Sequence, residues 1–96
     1  MPGLRILEKP WSMRLLVDLY RNGPAAVREL LSRLGASPNA LLSRVGELES
    51  AGVLERYRVH RRGRVCKVVA LTEKGRRLAE LLVLVEELLD EKQVTA

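Results

Sequence analysis

The sequence contains no phenylalanine, one tryptophan and two tyrosines. An aromatic core is therefore excluded, and leucine and valine must fill the interior. Cys66 is the one cysteine and His60 the one histidine, so neither an intramolecular disulfide nor a zinc set can be built within the chain. No metal or other cofactor is expected. Long apolar runs are also missing: the longest, Leu81 to Val85, is far short of the roughly 20 residues that span a bilayer. No membrane partner is expected, and with no recognisable signal peptide the chain reads as cytoplasmic. There is no phosphate loop, internal repeat or nucleophile–base pair at a telling spacing, so an enzyme is not expected.

What is present fits one small domain. The chain has 96 residues, 47% of them hydrophobic, enough to fold. A domain of this size buries less than about 70% of its unfolded surface, so burial against a partner would add to a thin stability margin. The net charge of +5 favours a polyanionic partner. Thirteen of the seventeen basic residues are arginine, the better side chain for bidentate contacts with phosphate and guanine. Genomic base composition or a hot habitat produces the same bias, and the single Gln and two Asn fit the latter. The charge is concentrated. Residues 53–77 hold nine basic and two acidic side chains, a net of +7, whereas residues 78–96 carry a net of −4. The partner should touch the basic segment.

Residues 1–10, with Pro2, Gly3 and Pro10, read as an N-terminal arm in which Ile6 and Leu7 can still pack. Ser12 is a plausible N-cap for a first helix bearing Leu15, Leu16, Leu19 and Tyr20, which Asn22-Gly23-Pro24 ends. A second helix is expected from about Ala25 to Leu34, with Gly35 at its C′ position. Ser37-Pro38 starts a third, which Gly52 stops. So short a linker reads as a helix-turn-helix, or as an ordinary helical hairpin of a bundle. Beyond Gly52 the period changes to that of two strands flanking the basic turn Arg61-Arg62-Gly63-Arg64, and Thr72-Glu73 caps a last helix. Three helices, a hairpin and a helix make the winged helix-turn-helix layout: mainly α with a small β-hairpin (α+β), a three-helix core, a wing and a long C-terminal helix. The expected division is an arm over 1–10, a winged-helix DNA-binding domain over 11–77, and a dimerisation helix and tail over 78–96.

Several stretches carry a family resemblance. Trp11, Leu15-Leu16, Asn22-Gly23-Pro24, Arg28-Glu29-Leu30, Ser37, Leu41, Arg44-Val45, Leu48-Glu49, Ala51-Gly52-Val53-Leu54-Glu55-Arg56 and Leu71-Thr72-Glu73-Lys74-Gly75 together resemble winged-helix regulators of the HxlR and MarR type. The resemblance covers roughly residues 11–82. It implies the fold, double-stranded DNA as partner, and homodimerisation, but no particular effector. Two features depart from the HxlR pattern: no cysteine precedes Trp11, and Arg61-Arg62-Gly63-Arg64-Val65-Cys66 replaces a proline-led wing.

At about 100° per residue, Leu41, Val45 and Leu48 of the third helix share the core-facing sector, leaving Asn39, Leu42, Ser43 and Gly46 facing the groove, with Ser37 and Pro38 at the leading end. Asn reads adenine, Ser bonds bases or phosphate, and Leu42 suits a thymine methyl. Arg44 either reaches a phosphate or pairs with Glu47. This helix is not basic. The grip is expected from the wing, where Arg61, Arg62 and Arg64, beside Arg58 and Lys67, suit phosphates or a narrow minor groove. His60 reads as a solvent-facing or phosphate-adjacent residue, and Cys66 as a small strand residue or a redox sensor.

In the last helix Leu81, Leu82, Leu84, Val85, Leu88 and Leu89 make more apolar surface than one small domain can cover, which suggests a twin subunit; full burial within the monomer is the alternative. The expected function is therefore a sequence-specific DNA-binding regulator acting as a homodimer. The competing reading is a winged-helix module for protein–protein contacts within a transcription or replication assembly.

Overall fold

The computed structural model describes residues 3–91. Helices α1 (Arg5–Glu8), α2 (Ser12–Asn22), α3 (Val27–Leu34) and α4 (Pro38–Ser50) lead into strands β1 (Leu54–Arg61) and β2 (Arg64–Leu71), and α5 (Glu73–Asp90) follows. The two strands pair antiparallel. This is the expected winged helix-turn-helix, with α3 and α4 as the helix-turn-helix and the hairpin as the wing.

Boundaries follow local chemistry, with two corrections at the amino-terminal side. Ser12 does not cap α2. The chain enters that helix through Trp11 in a left-handed conformation (φ 73°), so Ser12 becomes the first helical residue. Its hydroxyl is buried without a hydrogen-bond partner. Ala25 does not open α3 either. It forms an isolated antiparallel bridge with Val69, at 3.0 and 2.8 Å, and α3 starts two residues later. Further along, Gly35 (φ 72°) ends α3 by donating its N–H to Leu31 O at 2.9 Å. Ser37 caps α4 by accepting the Ala40 N–H at 3.3 Å, with Pro38 in the first turn. The amino-terminal arm includes the single turn α1, whose Ile6 and Leu7 pack against the core.

The core is aliphatic. Leu15, Leu16, Leu30, Leu41, Val45 and Leu48 are fully buried, so α4 turns Leu41, Val45 and Leu48 inward as its periodicity requires. Two ion pairs brace the helices from outside: Arg33 with Asp18 at 2.7 Å joins α3 to α2, and Arg21 with Glu86 at 2.6 Å joins α2 to α5. Asp18 holds the Arg33 guanidinium above its ordinary pKa, through a hydrogen bond.

The two most specific stretches of the sequence meet in space. Thr72 donates its hydroxyl to Gly52 O at 2.6 Å and its N–H to Val53 O at 3.1 Å, while its Oγ1 accepts the Gly75 N–H at 3.0 Å. Lys74 Nζ reaches Ala51 O at 3.2 Å. Gly75 is buried against this clasp, and a Cβ there would lie 1.9 Å from Val53 O. The opposing atom is backbone and cannot swing away. Gly75→Ala should therefore destabilise the fold by about 1–3 kcal/mol or more, the range for overpacking. A chemical-denaturation midpoint equal to that of the parent chain would show that α5 does not depend on this close approach.

Candidate nucleic-acid interface

The solvent face of α4 is built as its periodicity predicts. Ser37, Pro38, Asn39, Leu42 and Ser43 are all exposed, and a Cβ at Gly46 would meet nothing within 4 Å beyond its own stretch of helix. Arg44 does not lie on this face. Its side chain is 17% exposed and pairs with Glu47 at 2.8 Å, one of the two arrangements open from sequence. Glu47 also accepts from Lys9, which precedes α2. The Lys9 hydrogen bond, with Arg44 beside it, holds the Glu47 carboxyl below the usual carboxylate range.

The wing is a two-residue hairpin. Arg62 and Gly63 both have positive φ, 50° and 75°, the pattern of a type I′ turn. Alternation along the strands then sorts the wing cations. Arg56, Arg58 and His60 share one sheet face with their register partners Val69, Lys67 and Val65. That face adjoins α4, because Arg56 donates to Glu49 at 2.9 and 2.6 Å. Tyr57, Val59 and Arg61 take the other face, with Val68, Cys66 and Arg64. There Arg61 Nη1 donates to Glu29 of α3 at 3.0 Å.

The six expected wing and helix cations therefore do not act as one set. Arg58 and Lys67 stand beside α4, Arg62 sits at the tip, and Arg64 lies across from Arg61. Among the described residues, Arg58, Arg62, Arg64 and Lys67 have no acidic partner, whereas Arg44 and Arg61 do. Two rungs of the ladder, Arg58 opposite Lys67 and Arg61 opposite Arg64, set like charges face to face. Such rungs destabilise a hairpin in isolation, and a polyanion relieves them. His60 lies on the Arg58–Lys67 face, a placement that strand alternation could have supplied. The organising acids Glu29 and Glu49 were invisible as such, because their arginine partners are 32 and 7 residues away and nothing local marks the pairing.

Cys66 is half-buried in β2 opposite Val59. No group of three His, Cys, Asp or Glu side chains suited to a metal occurs among the described residues. None of their helices is long and apolar enough to cross a membrane.

The Glu29 carboxyl is held below its ordinary pKa, first by the Ala26 backbone N–H and then by Arg61. A carboxyl depressed in the folded state contributes stability above its unfolded pKa, and that contribution is lost as pH falls through the folded value. Its contribution should therefore be complete above the ordinary carboxylate range and disappear only at more acidic pH. A carboxyl-carbon NMR titration should place the Glu29 midpoint below 4.5, and Arg61→Met should move it partway back, since the backbone hydrogen bond remains. An unmoved midpoint in that variant would show that the ion pair is not formed in solution.

The sequence model of the HxlR-like helix-turn-helix family matches residues 6–95. Solved structures share the fold. The reduced transcriptional regulator YodB from B. subtilis is 26% identical, with 92% of this chain and 85% of that one covered and a TM-score of 0.74. A transcriptional regulator homologue from Pyrococcus horikoshii OT3 is 25% identical, with 91% and 90% covered and a TM-score of 0.71. The transcriptional repressor BigR from Xylella fastidiosa is 25% identical, with 94% and 85% covered and a TM-score of 0.73. No curated protein sequence matches the chain. With its fold, its basic wing and a family match over nearly its whole length, the chain belongs to the HxlR-like helix-turn-helix family of DNA-binding transcriptional regulators and is not an enzyme.

Proposed function

We propose that the chain is a homodimeric, sequence-specific regulator that sets α4 in the major groove and lays the hairpin on the flanking backbone or minor groove. One observation carries the reading: the wing next to the exposed, non-basic side of α4 holds four cations without acidic partners among the described residues, Arg58 and Lys67 on the face beside α4, Arg62 at the tip and Arg64 across from Arg61. Wing and helix thereby divide the work. Arg58, Arg62, Arg64 and Lys67 supply phosphate neutralisation, which is largely indifferent to sequence. Asn39, Leu42 and Ser43 contact base edges, with Ser37 and Pro38 leading the helix into the groove. Arg44 must leave Glu47 before it can reach a phosphate, so its share of the binding energy is small.

The dimer is proposed from α5. Leu81, Leu84, Val85 and Leu88 are 61, 56, 52 and 69% exposed and recur at three- and four-residue spacing on one side of the helix. A stripe of this kind calls for a partner, most simply its own copy across a two-fold axis. Leu82, expected on the same face, packs instead against the core. At about 100° per residue it falls in the sector of Gly75 and Ala79, which face the interior. Leu89, 78% exposed, stays available to the same partner, and with Leu82, Val85, Met13 and Val17 it borders an open cleft of about 450 Å³ against α2. Domain division is proposed along the same line: residues 11–77 bind DNA and the helix beyond them joins the subunits, although α5 itself continues unbroken across residue 78.

Three outcomes are expected. Sedimentation of the pure chain should give a dimer that Leu84→Glu with Leu88→Glu converts to a folded monomer of weakened DNA affinity. A parent chain that is monomeric and recovers a stoichiometric foreign partner would instead assign the stripe to protein–protein assembly. Arg62 holds a positive φ that a type I′ turn fills best with asparagine, so Arg62→Asn should stabilise the fold by up to about 1 kcal/mol. It should also weaken DNA binding and lower the slope of log K against log salt by about 0.9 per subunit. Unchanged salt dependence would remove the tip from the interface. Asn39→Ala should alter which duplexes are recovered from a genomic pool, at about 1–3 kcal/mol per lost base contact, while leaving that slope intact.

A further inference from the structure

Arg61 differs from the wing cations around it. It sits on the sheet face turned away from α4, and its guanidinium is already engaged. The Glu29 Oε1 atom that receives it at 3.0 Å also accepts the Ala26 N–H at 2.9 Å. That acceptor is thus fixed to the first turn of α3 and does not wander with a free side chain. The same chain segment grips the hairpin a second time. Ala25, one residue before that N–H, bridges Val69, which is paired with Arg56. From Arg56 to Arg61 is five residues of strand, about 16 Å at 3.3 Å per residue. The start of α3 therefore holds the wing at two levels, one at its base and one just below the tip. Without the upper one, the outer half of the hairpin is a lone two-stranded ribbon with like-charge rungs, an arrangement of marginal stability.

We propose that the Glu29–Arg61 pair is a wing-positioning device that sets the height of the hairpin above the DNA, and that Arg61 is a positioning residue and not a phosphate contact. The proposal rests on the reading that the wing touches DNA. A wing ordered before the encounter does not have to be ordered during it, and that saving appears as affinity. Glu29 thereby serves two ends of the molecule at once, the start of the helix-turn-helix and the tip of the wing. DNA binding through Arg62 at the tip and through Arg58 and Lys67 on the opposite sheet face leaves the pair in place.

The test uses the full chain and one duplex recovered by selection from sheared genomic DNA, titrated at several salt concentrations. Glu29→Gln keeps an oxygen to accept the Ala26 N–H and so preserves the helix start while removing the charge. Arg61→Met removes the other partner. Each should weaken binding by about two- to fivefold, as an exposed ion pair allows, and the double variant should bind no more weakly than either single one. The salt slope of Arg61→Met should equal that of the parent. In the free protein, the amide order parameter of Gly63 should fall in both single variants, with the thermal transition still cooperative. The proposal is overturned if Arg61→Met lowers the slope by about 0.9 per subunit while Glu29→Gln tightens binding, the signature of a phosphate contact. It is equally overturned if Gly63 is as ordered in Glu29→Gln as in the parent chain. Arg58→Gln with Arg62→Gln reports on the underlying reading alone: an unchanged salt slope in that variant would show that the wing does not touch DNA, whatever Gly63 does.

Discussion

The architecture depends on the backbone contact between Val53 and Gly75. Four elements converge there: the end of α4, the start of β1, the end of β2 and the start of α5. Thr72 is bonded in three directions, through its hydroxyl hydrogen to Gly52 O, through its oxygen to the Gly75 N–H, and through its own N–H to Val53 O. The missing side chain at Gly75 lets a helix backbone lie directly on the carbonyl of Val53. The direction of α4, the root of the wing and the departure angle of α5 are therefore set at one place. This also gives a physical reason for the two stretches that carry the family resemblance, which are 15 or more residues apart yet form one contact: each supplies half of the clasp.

The distribution of acids organises the basic surface. Glu29 and Glu49 each hold one arginine of β1, on opposite faces of the sheet, and Glu47 holds Arg44 back toward α4. These exposed pairs are individually weak. Their effect is selective: they remove Arg44, Arg56 and Arg61 from the pool of unpaired cations and leave Arg58, Arg62, Arg64 and Lys67 in it. The net charge of the basic segment thus overstates how many of its arginines are available to a polyanion.

Much of the fold was legible from residue patterns. Ser37-Pro38 and Thr72-Glu73 marked helix starts because their signals are local, a side chain bonding an amide three residues ahead. Leu41, Val45 and Leu48 marked the inner side of α4 because helical phase is a local property too. What escaped was non-local. Ser12 has the composition of a cap, but the left-handed Trp11 buries it. Ala25 belongs to a helical stretch by pattern, yet Val69 claims its backbone. At the candidate site, the residue types of the wing are legible in the sequence, and strand alternation carries their sidedness. Which arginines are spent on acids depends on contacts across the fold, and no window of sequence records those.

The length of α5 has a mechanical consequence. Eighteen residues make a rod of about 27 Å, rooted at the contact with Val53, braced along α2 by Leu82 and the Arg21–Glu86 pair, and carrying Leu84 and Leu88 on its outer side. A tilt of ten degrees at that root moves the far end by about 5 Å, more than the rise of one base pair. In the proposed dimer, the spacing between the two recognition helices is thus geared to how α5 lies on Val53 and on α2. A change of packing too small to disturb either DNA-reading surface can bring the pair into or out of step with the turn of the double helix.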